Sequence, residues 1–277
     1  MADPRPDEIE SLHNEIRRLR RSLAELTPPL DVLLKRRGFR IYKREPADDL
    51  LLPEKRFLDS FYEMLRKYSF RLFIRDVIKH QTYFRLEQVT RYATSAVTAE
   101  YALYLKEVGL IEPFSDGFRL ARGPIKSFGE TLEWFVSEIF KREFATDAVW
   151  GIRFKRPRVG GDYDLIAKVD GGILYMEIKS SPPKQIYQNE ITAFLDRVGD
   201  LRPEISIFFV DTELRMKDKI VPMFEEEFRN RDRQSIRIER MEKELFQAQG
   251  RMFIINAKDS IAANIEKVLI WHFRNNH

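Results

Sequence analysis

The 277-residue sequence predicts an α/β fold, a mixed sheet flanked by helices, preceded by a compact helical module and an N-terminal coiled-coil helix. Three observations carry this. Residues 123–277 alternate helical stretches with apolar runs of strand length, in the order α-β-β-β-α-β with α-β added. Residues 57–122 read as successive helices closed by two short strands around Ser115-Asp116-Gly117. Residues 7–26 place Ile9, Leu12, Ile16, Leu19, Leu23 and Leu26 at alternating intervals of three and four, a heptad seam.

The elements follow in chain order. The heptad helix over 1–29 stops at Pro28-Pro29, because proline lacks the amide hydrogen and clashes with the preceding turn. Its narrow seam predicts a homodimer. Residues 30–56, with basic residues clustered between Lys35 and Arg44, read as a solvated linker, or as an arm contacting phosphate. In the module over 57–124, helices are expected near Phe57–Lys67 and Arg71–His80, with a short one in RLEQVTRYA. Thr94 and Ser95 can cap the next helix, which carries Tyr101, Leu105 and Val108 on one face and ends at Gly109. This order of helices and hairpin resembles a winged helix-turn-helix. Residues 66–126 hold 11 Lys/Arg against 6 Asp/Glu, which favours DNA contact through Arg91 and through a wing bearing Arg119 and Arg122.

The α/β unit spans 125–277. Ser127 opens a helix with Leu132, Phe135, Val136, Ile139 and Phe140 on one face. AVWGIRFKR, YDLIAKV and GILYMEIKS read as strands, the last two joined by the turn Asp170-Gly171-Gly172. A helix over Tyr187–Leu201, a buried strand in EISIFFVD, a helix over Met216–Asn230, a strand over Arg251–Asn256 and a helix over Ser260–Phe273 complete it. The charged runs 225–234 and 238–244 read as helical surfaces.

Composition excludes several chemistries. There is no cysteine, hence no disulfide, thiolate nucleophile or zinc finger. The four histidines, His13, His80, His272 and His277, are scattered and read as mostly surface residues, so a histidine metal site or a Ser-His-Asp triad is not expected. No phosphate-cradling GxxxxGK[ST] loop occurs, which argues against a nucleotide cofactor. No apolar run is long enough for a membrane span, and MADPRPDEIE lacks a signal-peptide pattern, so a cytoplasmic protein is expected. Catalysis, if present, falls to carboxylates and lysines.

Those residue types meet in the hairpin GGDYDLIAKVDGGILYMEIKSSPPK. Asp164 starts one strand and Glu177 sits near the end of the next. Glu177 and Lys179 are two apart, so they share a face. Charges among apolar strand residues are costly unless compensated. A hard divalent cation compensates them, since Mg²⁺ accepts one or two carboxylates plus water and phosphate oxygens, and a backbone carbonyl at residue 178 can add a ligand. Lys179 can stabilise charge developing on a phosphate or position the attacking water.

An Asp followed by Glu-X-Lys on the next strand, after a helix carrying glutamate, resembles the PD-(D/E)xK nuclease superfamily over roughly 129–210. The helix GETLEWFVSEIF is similar to that of Mrr-like restriction endonucleases and Holliday-junction resolvases. The resemblance implies a restriction-endonuclease-like sheet and a Mg²⁺-dependent endonuclease acting on DNA, with Mn²⁺ able to substitute. It assigns catalysis to Asp164, Glu177, Lys179 and Glu133, and metal binding to Asp164, Glu177 and Glu133. Glu130 and Asp162 are accessory candidates, as is Gln188 on the following helix. Tyr163 stands where the family pattern has proline. Lys184, after the Lys179 strand, reads as a solvated loop lysine, or as a further phosphate contact. The alternative is a catalytically inactive DNA-binding regulator, or an assembly subunit, using the same fold.

Overall fold

The computed structural model describes residues 28–89, 91–155, 158–231 and 236–275, together with residues 15, 16, 18, 19 and 22. The heptad helix over 7–26 therefore lies outside the described residues, apart from those five helical positions.

The segment 30–56 is part of the fold rather than a solvated linker. Helix α1 (Leu30–Arg36) buries Leu30 and Leu34. Strand β1 (Ile41–Lys43) pairs antiparallel with β4 (Ala148–Phe154). Leu51 is buried, and its amide donates to Thr131 Oγ1 at 3.0 Å. The cations that dominate this segment's composition lie mostly on its outer side, which hid the few apolar anchors that dock it.

A 3₁₀ turn (Lys55–Phe57) leads into α2 (Leu58–Leu65), α3 (Tyr68–Lys79) and α4 (Ser95–Glu107). The Thr94 hydroxyl caps α4 by accepting the Val97 amide at 3.3 Å. The short helix expected in RLEQVTRYA is a 3₁₀ turn, Leu86–Gln88. Strands β2 (Ile111–Phe114) and β3 (Gly117–Leu120) form the hairpin, with Ser115 at φ 55° in its turn. These helices share one core with α5 (Gly129–Glu143): Phe61 packs on Trp134 with ring centroids 6.3 Å apart, and Tyr62 on Phe135 at 5.4 Å.

Beyond β4 come β5 (Tyr163–Val169), β6 (Gly172–Lys179), α6 (Gln188–Leu201), β7 (Ile205–Val210) and α7 (Ile220–Asn230). Strands β8 (Ile238–Glu242), β9 (Leu245–Ala248) and β10 (Met252–Asn256) and helix α8 (Ile261–Asn275) end the described chain. Among the described residues the strands form an eight-stranded mixed sheet, ordered β1-β4-β5-β6-β7-β10-β9-β8. Pairing is antiparallel through β4-β5-β6 and parallel from β6 to β7 and from β7 to β10. All six residues of β7 are buried, the reason it reads as an unbroken apolar run. One face of the sheet packs on α5, α8 and the helical module, and the other on α1, α6 and α7. Residues 238–244, expected as a charged helical surface, instead enter the β8–β9 hairpin, whose partner β9 is wholly buried. His272 is buried, its Nδ1 2.8 Å from the Gly250 carbonyl oxygen. No described helix is long and apolar enough to cross a membrane.

One glycine shapes the sheet where the site forms. Gly151 interrupts β4 at φ +56°, and a Cβ there would come within 2.3 Å of Pro46 Cδ. Across this break the alternation of β4 inverts: Trp150 joins the core beneath α5, and Ile152 joins the core beneath α6. The paired strand does the same, with Leu165 on the first side and Tyr163 on the second. Asp164 sits between those two residues. Gly151→Ala is expected to lower stability by about 1–3 kcal/mol, from the positive φ and the clash together. An unchanged urea midpoint would refute this account of the bulge.

Candidate functional site

The site forms where β5 and β6 are flanked by α5 and α6. Extending the register Leu165↔Met176 by one step sets Asp164 opposite Glu177. Alternation along β6 puts Tyr175, Glu177 and Lys179 on the face covered by α6. Glu177 is 2% exposed. The Tyr175 hydroxyl donates to its Oε2. Lys179 Nζ donates to Oε1 at 2.8 Å, and Arg197 Nη1 lies 3.1 and 2.9 Å from the two oxygens. The Tyr175 ring is held between Tyr163, at 5.2 Å, and Phe194, at 5.7 Å, which aims its hydroxyl at the carboxylate. Burial, followed by the charge of Glu177, pushes the Tyr175 hydroxyl well above its ordinary pKa, so it stays a donor.

Lys179 is largely buried, which alone would favour its neutral form. The carboxylates of Glu177 and Asp164 outweigh that and raise its pKa, keeping the ammonium charged. Glu190 of α6 adds a contact to it at 3.3 Å. Asp164 Oδ2 accepts the Ile178 amide at 2.7 Å. Burial, and then the charge of Glu177, push Asp164 up to about 7. Glu133, on α5, is raised well above the usual carboxylate range by burial, then by Asp164, Glu130, Glu177 and Asp162. The space left by the absent Gly151 side chain lies beside it, with Glu133 Oε2 3.7 Å from where that Cβ would stand.

The structure thus brings Asp164, Glu177, Lys179 and Glu133 into one electrostatic cluster, on whose Glu133 the charges of Glu130 and Asp162 also act, while the accessory candidates make their own contacts with other groups. Asp162 is exposed and binds Arg153 through both oxygens, at 2.6 and 2.7 Å. Glu130 accepts the Asp49 amide at 2.9 Å, fastening 30–56 to α5. Gln188 is turned towards α7, its amide donating to the Met223 carbonyl at 3.0 Å and to Glu227 at 3.1 Å. Its expected place beside Glu177 and Lys179 is taken instead by Arg197 and Glu190. Arg119 is paired with Glu112 at 2.6 Å across the hairpin, which offsets its charge, while Arg91, Arg122 and Lys184 are exposed.

Two residues that matter here escaped sequence reasoning, though each carries a signal. Arg197 follows the buried Phe194 by three positions, a cation on the apolar stripe of α6. Arg71 likewise lies between Phe70 and Phe73 on the buried face of α3. Arg71 meets Asp211, which follows β7, with contacts at 2.8, 3.0 and 3.1 Å, and also donates to the Leu65 carbonyl at 2.7 Å. Arg75 pairs with the same carboxylate. Asp211 is fully buried, which opposes its charge, but Arg71 and Arg75 prevail and hold its pKa below the ordinary value. This cluster ties the helical module to the carboxyl end of β7.

Among the described residues, no group of three or more His, Cys, Asp or Glu side chains stands in metal-holding geometry. The two oxygens of Glu177 are taken by Tyr175, Lys179 and Arg197. Of the three expected carboxylates, Glu177 is thus held by cationic side chains, while Asp164 accepts a backbone amide. Asp164 and Glu133 act on one another electrostatically, the charge of Asp164 being among the causes that raise Glu133. Such a pair fits a hard cation that takes two carboxylates and fills its shell with water and phosphate oxygens.

No family model matches the chain, and no curated protein matches it. Solved structures are similar to it, two of them as follows. Can2 from Sulfobacillus thermosulfidooxidans, in complex with cyclic tetra-adenylate (cA4), is 15% identical, with a TM-score of 0.51 over 87% of this chain and 60% of that one. Protein VC1899 from Vibrio cholerae is 12% identical, with a TM-score of 0.49 over 88% of this chain and 62% of that one. The chain spans about three fifths of the length of these structures. At such identity the likeness to Can2 concerns the fold, a mixed α/β arrangement.

Proposed function

We propose that the protein is a metal-dependent nuclease of the PD-(D/E)xK type, hydrolysing phosphodiester bonds in DNA. The observation that supports this best is the convergence of Asp164, Glu133 and the charged Lys179 beside Glu177, drawn from α5, β5 and β6. Asp164 and Glu133 would hold Mg²⁺, which on binding polarises the phosphate and lowers the pKa of a water. Lys179 donates to the phosphate oxygen on which charge develops. Glu177, fixed by Tyr175 and Arg197, sets the position of the Lys179 ammonium. Arg197, the less exposed partner, pairs with Glu177 at 2.9 Å and holds it in place as the anchor of Lys179.

In this reading, α2–α4 with the β2–β3 hairpin act as a winged helix that engages the nucleic acid, and the N-terminal helix pairs two chains. Exposed Arg91, Arg122 and Lys184 would contact phosphates, with a strong salt dependence. The engagement of Glu177 by Arg197 supports a second reading, a catalytically inactive DNA-binding regulator that retains the fold as scaffold. One experiment separates them. Labelled linear, circular and branched DNA is incubated with Mg²⁺ or Mn²⁺ and wild-type protein or Lys179→Ala. Cutting that requires metal and falls about 10²–10³-fold in the variant is the expected result. DNA bound but never cut, with either metal, would leave the regulator.

A further inference from the structure

A cleft of about 950 Å³ opens where α3 meets the carboxyl ends of β6 and β7. Its wall includes Ser180, the residue after Lys179, so it lies at the end of the strand that carries the lysine of the proposed catalytic centre. Clefts outside the carboxyl ends of parallel strands are where open α/β sheets bind ligands, and this volume suits a nucleotide-sized molecule.

The lining has the chemistry of an aromatic anion's site. Tyr92, 47% exposed, offers a ring face, and the buried Phe128 lies in the wall. Arg91 stands 5.3 Å from the Tyr92 ring, and Lys126 is exposed at the rim. Two polar atoms of cleft residues are buried without any hydrogen-bond partner: Arg75 Nε, a donor, and Asp76 Oδ2, an acceptor. Leaving such groups unpaired is costly. A single ligand that presents both an acceptor and a donor satisfies the pair, and a nucleobase edge does so.

We propose that this cleft holds one unpaired nucleotide of the substrate strand beside the scissile phosphate, with its base against Tyr92 and its phosphate near Arg91 and Lys126. The inference rests on the nuclease reading and narrows its substrate to DNA with a single-stranded or frayed position. A free mononucleotide shares this chemistry, so the test includes one.

Metal-free protein in chelator is titrated into a blunt duplex and into the same duplex bearing an overhang with 2-aminopurine. Expected are quenching of the overhang base and a loss of overhang affinity of about tenfold in Tyr92→Ala with blunt-duplex affinity nearly unchanged, whereas Arg91→Ala, which also removes a phosphate contact, weakens both. Both side chains are exposed, so the fold survives the changes. Equal affinity for blunt and overhang DNA, or no response to either variant, overturns the proposal and leaves the nuclease reading standing. AMP displacing the overhang at its own strand's concentration overturns assignment of the cleft to the strand. Binding of no DNA at all removes the nuclease reading, and this proposal with it.

Discussion

Replacing Asp211 with alanine is expected to lower the unfolding free energy by about 3–5 kcal/mol, the usual consequence of stranding a buried charge. Asp211 is fully buried, and Arg71, 1% exposed, has no access to solvent as an alternative partner. Removing the carboxylate leaves the Arg71 guanidinium with only the Leu65 and Arg66 carbonyls. Urea denaturation reads the change. A shift below about 1 kcal/mol would show that the pair is solvated or replaceable. The double variant Arg71→Met with Asp211→Leu should recover much of the loss, because well-packed apolar residues often replace a buried pair at little cost. The pH sign is also determined. A carboxyl held below its unfolded value contributes stability that is present above about pH 4 and lost as pH falls through the folded pKa. The Asp211 contribution should therefore vanish only in acid.

The second large effect is at Asp164, where activity and stability are expected to move in opposite directions. Asp164→Asn should reduce metal-dependent cleavage by about 10³-fold or more, since it removes a charge the metal needs. The same change should stabilise the metal-free protein by about 1–3 kcal/mol at pH 8. The Asp164 carboxyl is raised to about 7 in the folded chain, and an unfolded aspartate titrates near 3.9. Below about pH 4 both states are protonated and the contribution is fully present. Between there and pH 7 the unfolded state gives up its proton first, so stability falls as pH rises. Wild type without metal should thus melt lower at pH 8 than at pH 5, with Glu133 acting in the same direction. In the asparagine variant this slope should flatten, and Mg²⁺ should raise the melting temperature less than in wild type. Identical pH–stability curves for the two proteins would defeat the electrostatic account. Retained cleavage would defeat the assignment of Asp164.

What was legible beforehand follows from the range of the interactions concerned. The β5–turn–β6 hairpin was readable because Asp170-Gly171-Gly172 and period-two alternation are local signals. The α5 and α6 helices were readable from apolar spacing, and the pairing of Glu177 with Lys179 from two-residue periodicity alone. Strand β1 was hidden because it is three residues long and set among the exposed cations Arg40 and Arg44, while its partner β4 lies more than a hundred residues away. β8 was hidden because one face of a partly exposed strand carries the charges that elsewhere mark a helix surface.

The sequence by itself determined that the chain builds a mixed sheet flanked by helices, and that Asp164, Glu177 and Lys179 lie on one hairpin with Glu133 on the helix before it. Only the tertiary structure decided what each of those groups faces. Arg197 arrives from another element and takes Glu177, Gly151 lets the strand change faces beside Asp164, and Arg71 crosses 140 positions to neutralise Asp211. The physical reason is common to all three. Strand and helix periodicity follow from local backbone geometry, whereas the partner of a buried charge is set by which distant surfaces exclude water together.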